Sequence, residues 1–290
     1  MKIGIIGLGL IGGSFALAAK KLVADAELYG EDINPKHLTD AVRLGIIEHP
    51  LTSERYVQMD VILLAIPVHV ATERVLNLLD AINDNALLFD AGSTKASICK
   101  KVALHPKRNQ FLATHPIAGT EFSGPSAAFP ELFENQTQII CESQKTRPDL
   151  LEWAMQFFKS LQMRIEEMDA EAHDQHIAYV SHLSHISSFM LGKTVMEKEK
   201  DERAIFEMAG SGFASTVRLA KSSPEMWAPI FSQNKKNILD VLKEYISNLE
   251  QFKQLMENED WEQLRLEMKK INAIQTILEG IPVRNRTNNN

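Results

Sequence analysis

The chain has 290 residues, of which 44% are hydrophobic and 24% charged, as in globular proteins of one large or two medium domains. Its formal net charge of −7 argues against nucleic acid or an anionic membrane surface as a partner. The sequence contains no apolar run near the ~18 residues of a membrane span, and we expect no signal peptide, because a strand pattern begins at Met1. Cys99 and Cys141 lie far apart, so we expect two free thiols and a cytoplasmic protein.

A glycine-rich turn, GLGLIGGS, occupies residues 7–14. Residues 1–6 before it predict a buried strand, and residues 15–21 after it predict a helix. Strand, G-x-G-x-x-G and helix together favour a dinucleotide-binding site, because the helix N-terminus offers free N–H groups to phosphates. A glycine-rich turn without a ligand is the alternative.

Each glycine of this turn has an expected task. Gly7 allows the tight turn, Gly9 lets a pyrophosphate approach the backbone, and Gly12 lets the helix pack against the strand. Leu10 and Ile11, between the last two glycines, complete the predicted cofactor-binding loop.

An acidic residue follows the second predicted strand, at residues 27–30. Asp32 lies 20 residues after Gly12, where the dinucleotide pattern places an acid for the ribose hydroxyls. A carboxylate there repels a 2′-phosphate, which favours NAD over NADP. Glu31 competes for this role, and Asp32 as an ordinary loop acid remains an alternative.

Alternating strands and helices continue to about Met168, which predicts an α/β Rossmann-type domain at residues 1–168. Further strands are predicted at 60–66, 86–90, 110–114, 138–141 and 163–168, with helices at 70–79 and 149–161. Residues 123–133 predict a loop over the site that could act as a lid.

Ligands of open α/β sheets bind beyond the carboxyl ends of the strands. Pro67, His69, Ser93 and Lys95 follow predicted strands and are expected to line the nicotinamide end. Ser93 has an alternative role as a helix N-cap. His115, at the end of the 110–114 strand, is a candidate acid/base.

After Met168 the pattern becomes helical. A long helix is predicted at residues 170–197, and it carries His173, His176, His182 and His185. His182 and His185 share a helix face, whereas all four histidines cannot meet on a straight helix. No acid or cysteine completes a zinc site, so we predict no metal and favour anion or substrate binding at His182 and His185.

The remaining helices complete an all-α domain at residues 169–282, followed by a disordered tail at 283–290. A short helix carries Arg218, and long amphipathic helices are predicted at 224–256 and 258–278. These helices carry more apolar surface than they can bury against one another, which predicts a homodimer through this domain. One compact monomeric bundle is the alternative.

Five motifs in order resemble the prephenate dehydrogenase family, over essentially residues 1–280. They are residues 7–14, DAGSTK at 90–95, HPIAGTE at 115–121, SHLSH at 181–185, and Gly212-Phe213 followed by Arg218 and PEMW at 224–227. The resemblance implies oxidative decarboxylation of prephenate to 4-hydroxyphenylpyruvate with reduction of NAD, in tyrosine biosynthesis.

The resemblance also implies roles for individual residues. His115 would accept the proton of the ring hydroxyl, and Ser93 would orient His115 or that hydroxyl. Arg218 would bind a substrate carboxylate, and His185 with His182 would hold the pyruvyl end. Thr120 and Glu121 match positions at the substrate mouth.

The sequence departs from the family after Gly-Phe, where Ser215 stands in place of the usual aspartate and puts an inter-subunit salt bridge in doubt. Arogenate, with an amino group in place of the keto group, is an alternative substrate. A non-catalytic NAD-binding sensor is another alternative, but it would need neither His115 nor Arg218. A 3-hydroxy acid dehydrogenase would place a catalytic lysine in the helical half, and Lys193 and Lys221 lack that motif.

Overall fold

The computed structural model describes residues 1–120, 122–200 and 204–280. Its first part is a sheet of eight strands. These are β1 Lys2–Ile6, β2 Glu27–Glu31, β3 His49–Pro50, β4 Val61–Leu64, β5 Leu87–Asp90, β6 Phe111–Ile117, β7 Thr137–Cys141 and β8 Arg164–Met168. Their order is β3-β2-β1-β4-β5-β6-β7-β8. The pairings from β3 across to β6 are parallel, and β7 runs antiparallel to β6.

Helices cover both faces of this sheet, because successive strand residues point to opposite faces and both sets are apolar. The helices are α1 Leu10–Leu22, α2 Pro35–Arg43, α3 Val68–Ala81, α4 Ala96–Val102 and α5 Pro148–Ser160. Ile3 and Ile5 of β1 pack in one cluster with Phe15 of α1, whereas Ile6 packs in the other with Val75 of α3. The predicted Rossmann-type α/β architecture is confirmed.

The described chain after Met168 contains helices and turns and no strand, so the predicted all-helical second half is also confirmed. The helices are α6 Ala170–Ile177, α7 Leu183–Glu199, α8 Ser211–Thr216, α9 Pro224–Gln233, α10 Lys235–Glu257, α11 Trp261–Ile271 and α12 Ile274–Glu279. Within the described residues, we find no helix that is both long and apolar enough to cross a bilayer.

All three predicted long helices are interrupted, and the one expected at 258–278 is divided into α11 and α12 by a turn at residues 272–273. The helix expected at 170–197 contains a π-helical turn at Ala178–His182, an irregularity frequent at functional sites. The helix expected at 224–256 breaks at Asn234, whose backbone leaves the helical region with φ −102° and ψ 23°. The Asn234 side chain is buried and donates to the Asp174 carbonyl at 2.6 Å, a tertiary contact that helical periodicity cannot reveal.

The predicted lid at residues 123–133 is a packed segment instead. Its backbone folds into two short 3₁₀ turns, and the Phe129 N–H donates to Ser14 Oγ of α1 at 3.0 Å. Leu132 and Phe133 are buried in the same cluster as β1 and α1. The two prolines and two phenylalanines of this segment therefore serve packing.

Chain contacts divide the protein into two compact units, the first at Met1–Ile238 and the second beginning at Leu239. The first unit contains the sheet together with α6 to α9. The domain boundary expected at residue 168 stays a prediction. The predicted tail at 283–290 lies outside the described residues.

Candidate active site

Steric contacts explain two of the three motif glycines. Gly7 has a φ of +98°, and a Cβ there would lie 2.2 Å from the Ala65 carbonyl oxygen. A Cβ on Gly12 would lie 1.9 Å from the Gly7 carbonyl oxygen. A Cβ on Gly9 would meet no described atom within 4 Å. Gly7 and Gly12 are thus required by the turn itself, while Gly9 faces open space where a ligand can approach.

The helix that follows begins at Leu10, with Gly9 as its N-cap. Since glycine has no side chain to cap a helix, the first-turn N–H groups of Leu10, Ile11 and Gly12 depend on other partners. A helix N-terminus with uncovered N–H groups and a positive dipole end suits a pyrophosphate.

The two acidic residues at the end of β2 have different surroundings. Asp32 Oδ2 accepts the Leu8 N–H of the glycine turn at 2.8 Å. Glu31 receives Arg74 at 2.8 Å and also the Tyr56 hydroxyl, and burial with this carboxylate raises the pKa of Tyr56 to about 12. Because Asp32 contacts the glycine turn, whereas Glu31 contacts Arg74 and Tyr56, Asp32 stays the candidate for the ribose hydroxyls.

The carboxyl ends of β1, β4, β5 and β6 meet at one edge of the sheet. Pro67, the exposed N-cap of α3, follows β4, and half-buried Ser93 follows β5. The interpretation of Ser93 as an N-cap is wrong, because Lys95 occupies that position before α4. Ser93 therefore stays a candidate for the site.

Lys95 does not line the cofactor site as its position after β5 suggested. Its side chain is fully buried, pairs with Asp90 and donates to the Thr114 carbonyl at 2.6 Å. The reason is electrostatic, since a buried carboxylate such as Asp90 requires a counter-charge.

A chain of buried side chains lies behind His115. Its Nδ1 is 2.9 Å from Nε2 of His173, whose Nδ1 is 2.8 Å from Oδ1 of Asp174. The Asp174 carboxylate also accepts the N–H groups of Lys95 at 2.7 Å and Ala96 at 3.0 Å, and thereby caps α4. Burial, with His173 and Lys95 nearby, lowers the pKa of His115 well below 6.5.

Sequence reasoning did not find His173 and Asp174 as a pair that faces His115. The available signal was an adjacent His-Asp at the start of the first helix after the last strand. Its meaning depends on α6 lying next to α4 and β6, which periodicity does not disclose.

His182 and His185 share the same neighbour, as expected of residues on one helix face. The His185 ring stacks on Trp227 with centroids 3.5 Å apart, and the His182 ring meets Trp227 edge-on at 5.8 Å. His182 is fully buried, its Nδ1 lies 3.2 Å from Asn234 Nδ2, and its Nε2 has no hydrogen-bond partner among the described residues.

Both rings are neutral near pH 7. Burial lowers the pKa of His182 to about 4, and burial with Arg218 nearby lowers the pKa of His185. The expected anion binding therefore cannot rest on two permanently charged imidazoles. His185 Nδ1 lies 2.9 Å from the Ser181 carbonyl oxygen, so it donates, and Nε2 of the neutral ring is an acceptor.

The other predicted substrate residues lie on turns. Arg218 opens the 3₁₀ turn Arg218–Lys221, is exposed, and is close enough to His185 to influence its pKa. Thr120 Oγ1 accepts the Phe122 N–H at 3.2 Å. Glu121 lies outside the described residues.

Comparisons with known proteins agree with this geometry. Residues 15–167 match the nucleotide-binding domain of prephenate dehydrogenase, and residues 169–270 match its dimerization domain. A Bacillus subtilis prephenate dehydrogenase is 32% identical over 97% of this chain and 76% of its own length. A Zymomonas mobilis cyclohexadienyl dehydrogenase is 30% identical over 90% of each chain.

A solved structure gives the same result. It is the prephenate dehydrogenase of A. aeolicus in complex with hydroxyphenyl propionate and NAD⁺. It superposes with a TM-score of 0.88 at 30% identity and covers 96% of this chain and 98% of its own. With both domains matched over most of their length, the chain belongs to the prephenate dehydrogenase family.

Proposed function

We propose that this protein catalyses the NAD-dependent oxidative decarboxylation of prephenate to 4-hydroxyphenylpyruvate. The observation that carries the proposal is His115, a neutral histidine in the carboxyl-terminal half of β6 with its Nδ1 held by His173. Parallel strands bring this end to the same edge as the glycine turn. Family membership and the relatives named above support the same substrate.

The residues of the glycine turn fit NAD. A Cβ at Gly9 would project into the space that a pyrophosphate needs, and α1 presents its N-terminal N–H groups there. When bound, NAD supplies the hydride acceptor. We assign the cofactor site to Gly7, Gly9, Leu10, Ile11, Gly12, Asp32 and Pro67.

In the proposed mechanism, His115 accepts the proton of the ring hydroxyl through Nε2. Oxidation at the ring carbon that bears this hydroxyl, followed by loss of carbon dioxide, makes the ring aromatic. The reaction is therefore strongly downhill. A neutral imidazole is required because an imidazolium cannot accept a proton. We assign to Ser93 the orientation of His115 or of the hydroxyl.

Prephenate is a dianion, and Arg218 is the proposed partner of one carboxylate. A guanidinium donates two parallel hydrogen bonds to a carboxylate, and the exposed Arg218 side chain has room for this contact. His185 is proposed to hold the pyruvyl end, and fully buried His182 supports His185 and Trp227 from within. Thr120 and Glu121 complete the proposed substrate mouth.

Arogenate is a second candidate substrate, which one observation favours. The neutral ring of His185 offers Nε2 as an acceptor, and an ammonium group donates to an acceptor directly. The keto group and carboxylate of prephenate need a donor there, so His185 must take up a proton to hold them. Prephenate binding should therefore weaken as pH rises, and arogenate binding should not.

We further propose a homodimer formed through the helical half. A stripe of exposed apolar side chains runs along α10 at a spacing that keeps them on one face: Leu239, Ile246, Leu249, Phe252 and Met256. Monomers rarely leave so large an apolar face in water. The match of residues 169–270 to a dimerization domain supports this surface as the interface.

The experiment measures reduction of the cofactor by its absorbance. Prephenate and arogenate are each assayed with NAD and with NADP over a range of pH. We expect the highest kcat/KM with prephenate and NAD, and a prephenate KM that rises with pH. A higher kcat/KM with arogenate at neutral pH would make arogenate the substrate. An equal response to NADP would remove Asp32 from cofactor selection.

A further inference from the structure

We propose that His173 and Asp174 form a positioning relay that keeps the hydrogen of His115 on Nδ1 and leaves its Nε2 bare as the base. The inference rests on the proposed function of His115 and extends it to two residues that do not themselves touch the substrate. Three buried side chains carry it, joined by contacts of 2.9 and 2.8 Å.

The hydrogen positions follow from the chemistry at the Asp174 end. A carboxylate only accepts hydrogen bonds, so Nδ1 of His173 must carry a hydrogen. In the neutral ring, Nε2 of His173 is then an acceptor. His115 Nδ1 must therefore donate to it, and in the neutral His115 ring the other nitrogen, Nε2, carries no hydrogen.

Asp174 is suited to this role because its own position is fixed. Two backbone N–H groups at the start of α4 hold its oxygens, those of Lys95 at 2.7 Å and Ala96 at 3.0 Å. The carboxylate is 2% exposed, which leaves it little freedom to turn away from His173. The relay thus connects the start of α4 to the end of β6.

The surrounding charges explain why a relay is useful. Lys95 lies close enough to His115 to oppose a positive charge on it, Asp90 is engaged with Lys95, and the nearby His182 ring is neutral. When Nε2 takes up a proton, the Nδ1 hydrogen can shift to His173. The positive charge then lies on the ring that contacts the Asp174 carboxylate, and the pair as a whole has gained the one proton that the substrate hydroxyl gives up.

The direct test is nitrogen NMR of the full-length enzyme labelled at histidine, without substrate. The His115→Asn variant assigns the His115 resonances by their disappearance. We expect a protonated Nδ1 and a bare Nε2 for His115. A hydrogen on Nε2 overturns the relay, whatever substrate the NADH assay supports.

Substitutions at His173 separate positioning from packing. In His173→Gln, the side-chain carbonyl can still accept from His115 Nδ1, whereas His173→Leu removes the acceptor. We expect kcat to fall about tenfold in the first and about 100-fold or more in the second, with KM values within about twofold. The His115 hydrogen should leave Nδ1 only in His173→Leu. The matched control is His176→Leu, an exposed position on α6, which should match the wild type.

The pH profile tests the charge of the relay. Asp174→Asn removes the negative charge that favours the protonated pair, so the acid limb of log kcat/KM should move to lower pH while the plateau falls. A loss of plateau without any shift of the limb would overturn the electrostatic role of Asp174. Equal kcat in the glutamine and leucine variants, with an unchanged tautomer, would assign His173 to packing alone.

Discussion

At the scale of single residues, His115 carries the chemistry of the account. His115→Asn should lower kcat by about 10²–10⁴-fold, because the substitution removes the base. NAD should still bind with unchanged affinity, since the assigned cofactor residues are untouched. Steady-state kinetics measures kcat, and quenching of the protein's tryptophan fluorescence during a titration with NAD measures the binding affinity. Unchanged turnover would remove His115 from the mechanism.

The same residue sets the pH dependence. Burial lowers the pKa of His115 well below 6.5, so the ring remains unprotonated and active as pH falls through 6.5. We therefore expect log kcat/KM to begin its acid decline well below pH 6.5 and to lose that decline in His115→Asn.

Arg218 offers a second test at this scale. Arg218→Ala should weaken substrate binding by about 2–3 kcal/mol through loss of charged hydrogen bonds, seen mainly as a higher KM. Lys221→Ala, an exposed cation on the same turn, is the matched control and should change KM little. Similar KM values for both variants would leave the carboxylate without its proposed partner, and an unfolded Arg218→Ala would make Arg218 structural.

Single residues also show what sequence reasoning could predict and what it could not. Asp32 and His115 could be proposed as site residues because each follows a predicted strand, and their roles stay predictions. Lys95 was misplaced because the same position can serve an interior ion pair, and its partner Asp90 looked like an ordinary strand end. Asp174 was missed because its three donors come from α4 and His173, contacts that only the folded chain assembles.

At the scale of elements, the glycine turn gives a matched pair of substitutions. Gly9→Ala places a methyl group where no described atom lies within 4 Å, so the protein should fold normally and lose NAD affinity. Gly12→Ala places it 1.9 Å from the Gly7 carbonyl oxygen, so stability itself should fall. Thermal unfolding and NAD titration distinguish them. Equal stability loss in both would contradict the division of roles.

The strands other than β3 were predicted, because buried parallel strands are continuous apolar runs bounded by polar residues, as in Val61–Leu64. The two residues of β3 are exposed and show no such run. Helix ends were less predictable. The break at Asn234 depends on its buried hydrogen bond to the Asp174 carbonyl, and the π turn at Ala178–His182 lies within an uninterrupted helical pattern. The two irregularities meet, since Asn234 Nδ2 lies 3.2 Å from Nδ1 of His182, and there tertiary contacts override local preference.

At the scale of the whole molecule, the homodimer is the testable claim. Sedimentation at micromolar concentration should give about twice the 32.6 kDa chain mass. Leu249→Glu places a charge in the exposed apolar stripe of α10 and should shift the protein toward monomer. Ser247→Glu, on the polar side of the same helix, is the control. A monomeric wild type would contradict the dimer.

Oxidative decarboxylation of prephenate has one defined stoichiometry. With NAD and prephenate, the enzyme should form NADH, carbon dioxide and 4-hydroxyphenylpyruvate in equal amounts, measured together in one reaction by absorbance, gas evolution and chromatography. No NADH from prephenate, or NADH without an equal release of carbon dioxide, would contradict oxidative decarboxylation as the function of this chain.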